Sequence, residues 1–503
     1  MAQVLTPIVI TPRSAAILCT PKGTRFTQKE PVIWQLCEEK GGKIVGEGEA
    51  TTAALFFEDL TPDTPYRLTT ALGAIVFATR GCAGLVRASE HGVSTRTADN
   101  AAGFAAAIAA TPEGGTLLVE TGLYATGPIF LKPHMTLHVR AGATIAAVGS
   151  REGWPILPAH DPSGRVIGTW EGLPEAAFAA VVTGLDCDGL AITGGGTIDG
   201  GGDRGDWWQW PKDTREGARR PRTIHIAHSD VVSLSGVTVC NSPSWTVHPY
   251  RCTDFTAAAL RIENPDDSPN TDGLNPESCE GVEIAGVAFT VGDDCIAIKA
   301  GKRGPGQVDH LSPTKRVRVR HCLMQKGHGA VVLGSEMSGG IEDVLIEACD
   351  FDGTDRGLRI KTRRGRGGMV QDVTFSDVVM EAVPVPLAIN AFYFCDPDGK
   401  SDAVQSRGLA LVDETTPRIS GITFQNVTAT RVAYAAAAVL GLPEAEVRDV
   451  VLTNYRVSFD PAAEPGVPLM ACEVEPVRHE GVVAQFAEVT GAPHVLEADH
   501  VAL

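Results

Sequence analysis

From residue 187 onward one pattern keeps returning: apolar, any, apolar, two of any, apolar, any, apolar. It is written at Val232, Leu234, Val237 and Val239, at Val282, Ile284, Val287 and Phe289, and at Val317, Val319, Cys322 and Met324. Copies follow at Val344, Ile346, Cys349 and Phe351, at Val373, Phe375, Val378 and Met380, at Ile422, Phe424 and Val427, and at Val450, Leu452, Tyr455 and Val457. Weaker ones begin at Leu190 and Phe255. The lead positions 190, 232, 255, 282, 317, 344, 373, 422 and 450 leave five of eight intervals between 23 and 29 residues. Strand-type alternation with a period in the twenties means a solenoid, because each repeat is too small to bury its apolar face alone. Leucine-rich repeats would show L-x-x-L-x-L with Asn, and propeller blades would be longer. Short strands, Gly-rich turns and no intervening helices predict an all-β chain whose main body is a parallel β-helix, about one coil per repeat. Cys322 and Cys349 occupy the same repeat position and are expected to stack inside adjacent coils.

A solenoid must hide its open ends. Residues 98–110, ADNAAGFAAAIAA, read as an amphipathic helix started by Asp99 or Asn100 and closed before Pro112, placed to cap the first coil. The segments Asp203–Arg222 and Pro384–Thr416 are the largest expected loops, where binding faces tend to lie. The chain's 503 residues exceed one ordinary core, so a second unit is expected. Residues 1–95 supply it: PIVI, SAAILC, PVIWQLC, AALFFEDL, YRLTTAL and AIVFAT alternate with Gly, Pro and Asp turns, as in a small β-sandwich. Leu60-Thr61-Pro62-Asp63-Thr64-Pro65-Tyr66 resembles the tyrosine corner of fibronectin type III modules. This unit holds no cluster of catalytic residue types and is expected to act as a spacer, an interaction module or a wall beside the site. The second domain is expected over 96–503.

The formal charge is −18, which by itself argues against nucleic acid or an anionic membrane as partner. No apolar run is long enough to span a bilayer. The N-terminal stretch has no basic residue before Arg13 and is broken by Pro7 and Pro12, so a cytoplasmic location is expected. Twelve cysteines show no CxxC pair or zinc spacing, so no metal and no cofactor are expected.

Four segments gather polar, charged and glycine residues in consecutive repeats: Asn270-Thr271-Asp272-Gly273, Gly292-Asp293-Asp294-Cys295, Gly327-His328-Gly329 and Arg359-Ile360-Lys361. Their offsets from the lead positions are 17, 11, 11 and 15 for Asp272, Asp293, His328 and Arg359. Similar offsets in stacked coils bring side chains to one face, about 5 Å apart per coil. Singly each segment is bland: Asp-Gly is an ordinary turn, and Arg-x-Lys on a strand is usually a solvated face. Together they place three carboxylates, an imidazole and two cations on one patch.

These segments, NTDG, GDDCIAIK, GHGAVVLGS and RIKT, resemble the signature of the polygalacturonases, family 28 of the glycoside hydrolases, over about residues 98–460. The resemblance implies a right-handed parallel β-helix and inverting hydrolysis of α-1,4 bonds between galacturonic acids. It implies Asp293 as general acid, Asp272 and Asp294 as the pair that holds and deprotonates water, and His328 as a residue tuning the acid or the bound sugar. Arg359 and Lys361 would grip a galacturonate carboxylate, and Tyr393 would lie near the bound sugar. The physical logic agrees: inversion needs an acid and a base with a water between them, and like-charge neighbours keep one carboxyl protonated.

The segment DRGDWWQWPKDTREGARRPR sets Trp207, Trp208 and Trp210 near Arg215, Arg219, Arg220 and Arg222. Aromatics stack on sugar faces and arginines suit an anionic chain, so Trp207, Trp208 and Arg220 are candidate substrate contacts; a loop anchored by buried tryptophans is the alternative. With the N-terminal module, this insertion resembles exo-acting bacterial members of the family. Pectic galacturonate chains are then the expected partner. A rhamnogalacturonan or xylogalacturonan hydrolase, a calcium-dependent β-helical lyase and a non-catalytic carbohydrate-binding solenoid stay open as alternatives. Residues 299–326 carry eight Lys/Arg against Asp309 alone, and residues 356–366 six against none, so two basic segments are expected to flank the catalytic face of an acidic molecule.

Overall fold

The computed structural model describes residues 4–496; residues 1–3 and 497–503, which the expected domain ranges include, lie outside the described residues. Each full coil of the main body has three short strands. Glu280–Ala285, Ala288–Thr290 and Asp294–Ile298 make one coil, and Thr314–Arg320, Leu323–Gln325 and Gly329–Gly334 make the next. The first two strands of every coil stack into a 23-stranded sheet, and the third strands form sheets of four and six, bridged through Leu274 and Glu277. The lead apolar positions are in direct register: Val232 on Phe255, then Val282, Val317, Val344, Val373, Ile422 and Val450. Period-2 alternation is what puts them all inside, since a one-residue slip would turn every side chain outward. Like side chains therefore stack on like: Phe375 lies 4.8 Å from Phe424 with rings nearly parallel, and Cys322 and Cys349 are both fully buried. Each such aromatic or aliphatic side chain is worth about 1.5–3 kcal/mol of burial.

The helix spans Ala101–Ala110, with the Ala101 amide donating to Asp99 Oδ1 (2.9 Å). Phe104, Ala107 and Ile108 are buried against the first coil, so the helix covers that end as expected. No helix among the described residues is long and apolar enough to cross a membrane.

The N-terminal unit comprises a three-stranded and a four-stranded antiparallel sheet, its last strand being Gly73–Ala78. Within it the Thr61 amide donates to the buried Tyr66 hydroxyl (2.8 Å). The expected boundary at 95 falls too late. Leu85–Arg87 already pairs parallel with Thr116–Val119 of the solenoid, so the junction lies within 79–84. The unit rests on the turns between the first two strands of successive coils. Ser14 hydrogen-bonds Thr193, Glu58 accepts from the Gly195 amide, Arg25 pairs with Asp350, and Val9 and Ala16 pack on Ala258. These turns lie between the first and second strands of each coil, whereas the acidic residues stand at the starts of the third. Pro384–Thr416 also needs correcting. Val385–Asn390 is a strand of the six-stranded sheet, so the loop proper begins after it.

Candidate active site

The third strand of each coil starts where the chain turns out of the 23-stranded sheet, and the acidic residues stand at those starts. Asp294 opens the strand Asp294–Ile298 and pairs with Gly329 on the next coil, which sets Asp293 against His328. Leu274 bridges to Ile296 from the coil before, which sets Asp272 beside Asp294. Arg359 and Lys361 come from Arg356–Lys361, one strand beyond His328's. Stacking thus gathers the residues of all four motifs, as their spacing predicted.

Each carboxylate has its own partner. Asp294 Oδ2 accepts from Lys361 Nζ at 2.8 Å, while Oδ1 has no hydrogen-bond donor and lies 3.5 Å from Arg359 Nη1. Asp293 Oδ1 lies 3.1 Å from His328 Nδ1. Asp272 Oδ2 accepts from Asn275 Nδ2 at 2.7 Å, with Lys299 Nζ at 3.8 Å. Burial, reinforced by the charge of Asp293, pushes Asp272 up to about 8. Burial would also raise Asp293, but the His328 hydrogen bond and charge, with Lys361 and Lys299 behind it, hold it down at about 2. The same hydrogen bond raises His328 to about 9. Of Asp272 and Asp293, burial and mutual repulsion favour the protonated form at Asp272.

Two glycines make this approach possible. At Gly327, with φ +78°, a Cβ would stand 2.2 Å from the Asp293 carbonyl oxygen. At Gly329 it would stand 2.5 Å from Val332 Cγ2 and 3.3 Å from Asp294 Oδ1. Tyr393 lies nearly buried beneath the two cations, its ring centroid 5.6 Å from the Arg359 guanidinium and 5.3 Å from Lys361 Nζ.

The candidates from the tryptophan-rich insertion fare differently. Trp207 is fully buried, edge-on to Trp154 and Phe178, and Trp210 packs against it. Arg220 is fully buried as well, donating to the carbonyls of Pro243, Pro269 and Pro211 and to Asn270 Oδ1. Trp207 therefore offers no face to a sugar and Arg220 no free donor pair to a carboxylate; they anchor the insertion against the NTDG turn. Trp208 is half-buried, its Nε1 donating to the Ser242 carbonyl (3.0 Å).

A buried network beneath the carboxylates escaped the sequence reading. Lys299 Nζ lies between Asp272 and Glu336 Oε2 (3.0 Å) and over the Trp245 ring (4.5 Å). Lys299 sits within GDDCIAIK, so the motif carried a signal for it; Glu336 and Trp245 come from ordinary loop sequence. Above them the hairpin of Thr169–Trp170 and Leu173–Pro174 stacks Trp170 parallel to Trp245 at 5.9 Å, with Arg222 over both rings. Thr169 Oγ1 donates to Glu277, Lys302 N donates to the Gly172 carbonyl, and Glu171 pairs with Lys212 of the insertion. The hairpin thus lies against Trp245, Glu277 and Lys302, and the insertion reaches the coil of Asn270 through Arg220.

The two basic segments are also less free than their count suggests. Lys315, Arg316, Arg318 and Arg320 lie on the strand Thr314–Arg320 of the 23-stranded sheet, each paired with an acid. Arg363 and Arg366 are bound to Asp396, and Arg364 to Glu444. Lys299, Arg359 and Lys361 are the cations from these segments that contact the three carboxylates.

The sequence profile of the family described as Glycosyl hydrolases family 28 matches residues 169–464. A "Probable polygalacturonase" of Vitis vinifera is 32% identical over 368 residues, 72% of this chain and 71% of that one. An endo-polygalacturonase of Pectobacterium parmentieri is 31% identical over 283 residues, covering 54% of this chain and 66% of that protein. The solved family 28 exopolygalacturonase of Yersinia enterocolitica superposes over 98% of each chain with a TM-score of 0.69 at 19% identity.

Proposed function

Since this chain belongs to family 28 of the glycosyl hydrolases and is a glycoside hydrolase of polygalacturonase type, we propose that it hydrolyses α-1,4 bonds of galacturonate chains from an end, with inversion. The observation that carries the reading is the set of three carboxyls, each with a separate counter-charge. His328 and Asp293 hold one proton between them. When a sugar covers the pair and excludes water, the neutral arrangement gains over the ionic one, and the proton passes to Asp293 for delivery to the leaving oxygen. Neutralising Asp293 removes the like charge that holds a proton on Asp272. Asp272 then gives its proton to solvent water, ionises beside Lys299 and, with the unbonded Oδ1 of Asp294, takes a proton from the attacking water. Arg359 and Lys361, above Tyr393, hold a galacturonate carboxylate.

End-directed action is supported by the hairpin against Trp245 and the insertion at the coil of Asn270, which in this reading close one end of the cleft. Known relatives include endo- and exo-acting proteins, so the reading rests on these walls. Asp293→Asn is expected to lower kcat on the order of 10²–10⁴-fold with KM little changed. Products of polygalacturonate followed over time should be only mono- or digalacturonate from the first minutes; an early ladder of sizes would refute end-directed action. Rising ultraviolet absorbance that a chelator abolishes would replace the hydrolase by a lyase. Release of the β-anomer, seen by proton NMR before mutarotation, would establish inversion, and the α-anomer would refute it.

A further inference from the structure

We propose that the C-terminal strap, residues 461–478, closes the other end of the cleft through Met470. The site then takes di- and trigalacturonate in preference to longer chains. The inference rests on the hydrolase reading above and goes beyond it by naming substrate length.

The strap leaves the solenoid after the strand Val447–Phe459, folds back over the preceding coils and returns at Glu480–Gln485. Its middle alternates: Leu469 and Ala471 are 6% exposed and packed with Phe392 and Leu440, while Met470 between them is 39% exposed. Arg359 Nη2 lies 3.2 Å from Met470 Sδ. Five hydrogen bonds to strap backbone fix this position. Arg356 donates to the carbonyls of Pro468 and Val467, Asn390 to that of Met470 and Arg407 to that of Cys472, while Gln405 Oε1 accepts from the Cys472 amide.

The length follows from counting coils. Arg356–Lys361 lies two strands beyond Asp294–Ile298 in the six-stranded sheet, which at ~4.8 Å per strand is ~10 Å. On the other side the insertion already occupies the coil of Asn270, one step before Asp294, through Arg220. The open stretch is thus three coil steps, ~14 Å. A hexuronate with its linkage is about as long as one coil is high, so about three rings fit between the walls. A fourth meets Met470, whose thioether offers a galacturonate carboxylate no donor and already sits against Arg359.

The test is kcat/KM per chain end for di-, tri-, tetra- and pentagalacturonate and for polygalacturonate. The expected result is a fall of ~10-fold or more beyond the trisaccharide. Met470→Ala should recover most of the loss on the pentamer while changing the dimer less than about threefold. Arg356→Ala, which frees the Val467 and Pro468 carbonyls away from the reacting atoms, should shift the ratio the same way. A wild-type enzyme that cleaves pentamer and polymer as well as trimer overturns the inference while leaving the hydrolase reading intact; so do variants that leave the length ratio unmoved. Failure to cleave any galacturonate chain, whatever its length, is the distinct result that removes the hydrolase reading and this inference with it.

Discussion

Burial and the charge of Asp293 leave Asp272 with a proton affinity near 8 against an ordinary 3.8. Between those pH values the folded protein keeps a proton that the unfolded chain has lost, so this residue's contribution to stability falls as pH rises. Asp272→Asn removes the conflict. Its expected outcome is a Tm at pH 7 higher by on the order of 1–3 °C, by calorimetry, with hydrolysis lost; a lower Tm would mean that Lys299 and Asn275 already compensate the charge. His328 shifts stability with pH in the same direction, though through a favourable pairing. Its pKa is raised from 6.5 to about 9, so its pairing contributes stability below 6.5 that is lost as pH climbs to 9. The imidazole is half-exposed, and solvent screening keeps that contribution small. Asp293, held down at about 2, contributes above 3.8 and loses the contribution as pH falls through 2. An NMR titration of His328 should therefore give a pKa near 9 that drops towards 6.5 in Asp293→Asn; an unchanged value would break the pairing. Asp272, Asp293, Asp294, His328, Arg359 and Lys361 were legible in the sequence because each lies in a short local motif whose place in the coil repeat fixes its position.

At the scale of elements, contact between distant segments decided what spacing could not. Trp207 reads as a sugar platform when only its own loop is considered, yet Trp154 and Phe178, from outside that loop, close over it. Trp207→Ala should consequently cost about 3–5 kcal/mol in denaturant unfolding, as for other buried aromatics; a raised KM with unchanged stability would restore it as a substrate contact. Basic residues on Thr314–Arg320 were misplaced for the same kind of reason. They belong to the first strand of their coil, not the third, and meet acids such as Glu283 and Glu342 in the adjoining coils of the 23-stranded sheet. The turn Gly327-His328-Gly329 is the opposite case, legible because its constraint is local. Gly327→Ala would drive a Cβ to 2.2 Å from the Asp293 carbonyl oxygen and should lower both Tm and kcat, whereas an exposed glycine such as Gly353, with open space around its Cα, should alter kcat little when replaced.

In the whole molecule the coils are stacked in one dimension, but the N-terminal unit lies along the turns of several of them. It touches the coils of Thr193, Ala258, His321 and Asp350 and so couples segments that nearest-neighbour stacking would leave independent. Unfolding should appear as one calorimetric transition, and Ala16→Arg, which puts a charge into the buried contact with Val9 and Ala258, should split it into two; a single unshifted transition in that variant would show the contact to be idle. The repeat of apolar lead positions dictated the solenoid, its register and the face on which the carboxylates gather, because strand alternation and coil period are local properties that leave each side chain a single inward choice. The extent of the cleft was decided elsewhere. The hairpin at 169–174, the insertion ending at Arg222 and the strap bearing Met470 meet the site across long sequence separations, held by backbone carbonyls that accept from Arg220, Arg356 and Asn390. Those acceptors are present in every residue and carry no sequence signal, so chain-length selectivity became readable only once the coils were stacked.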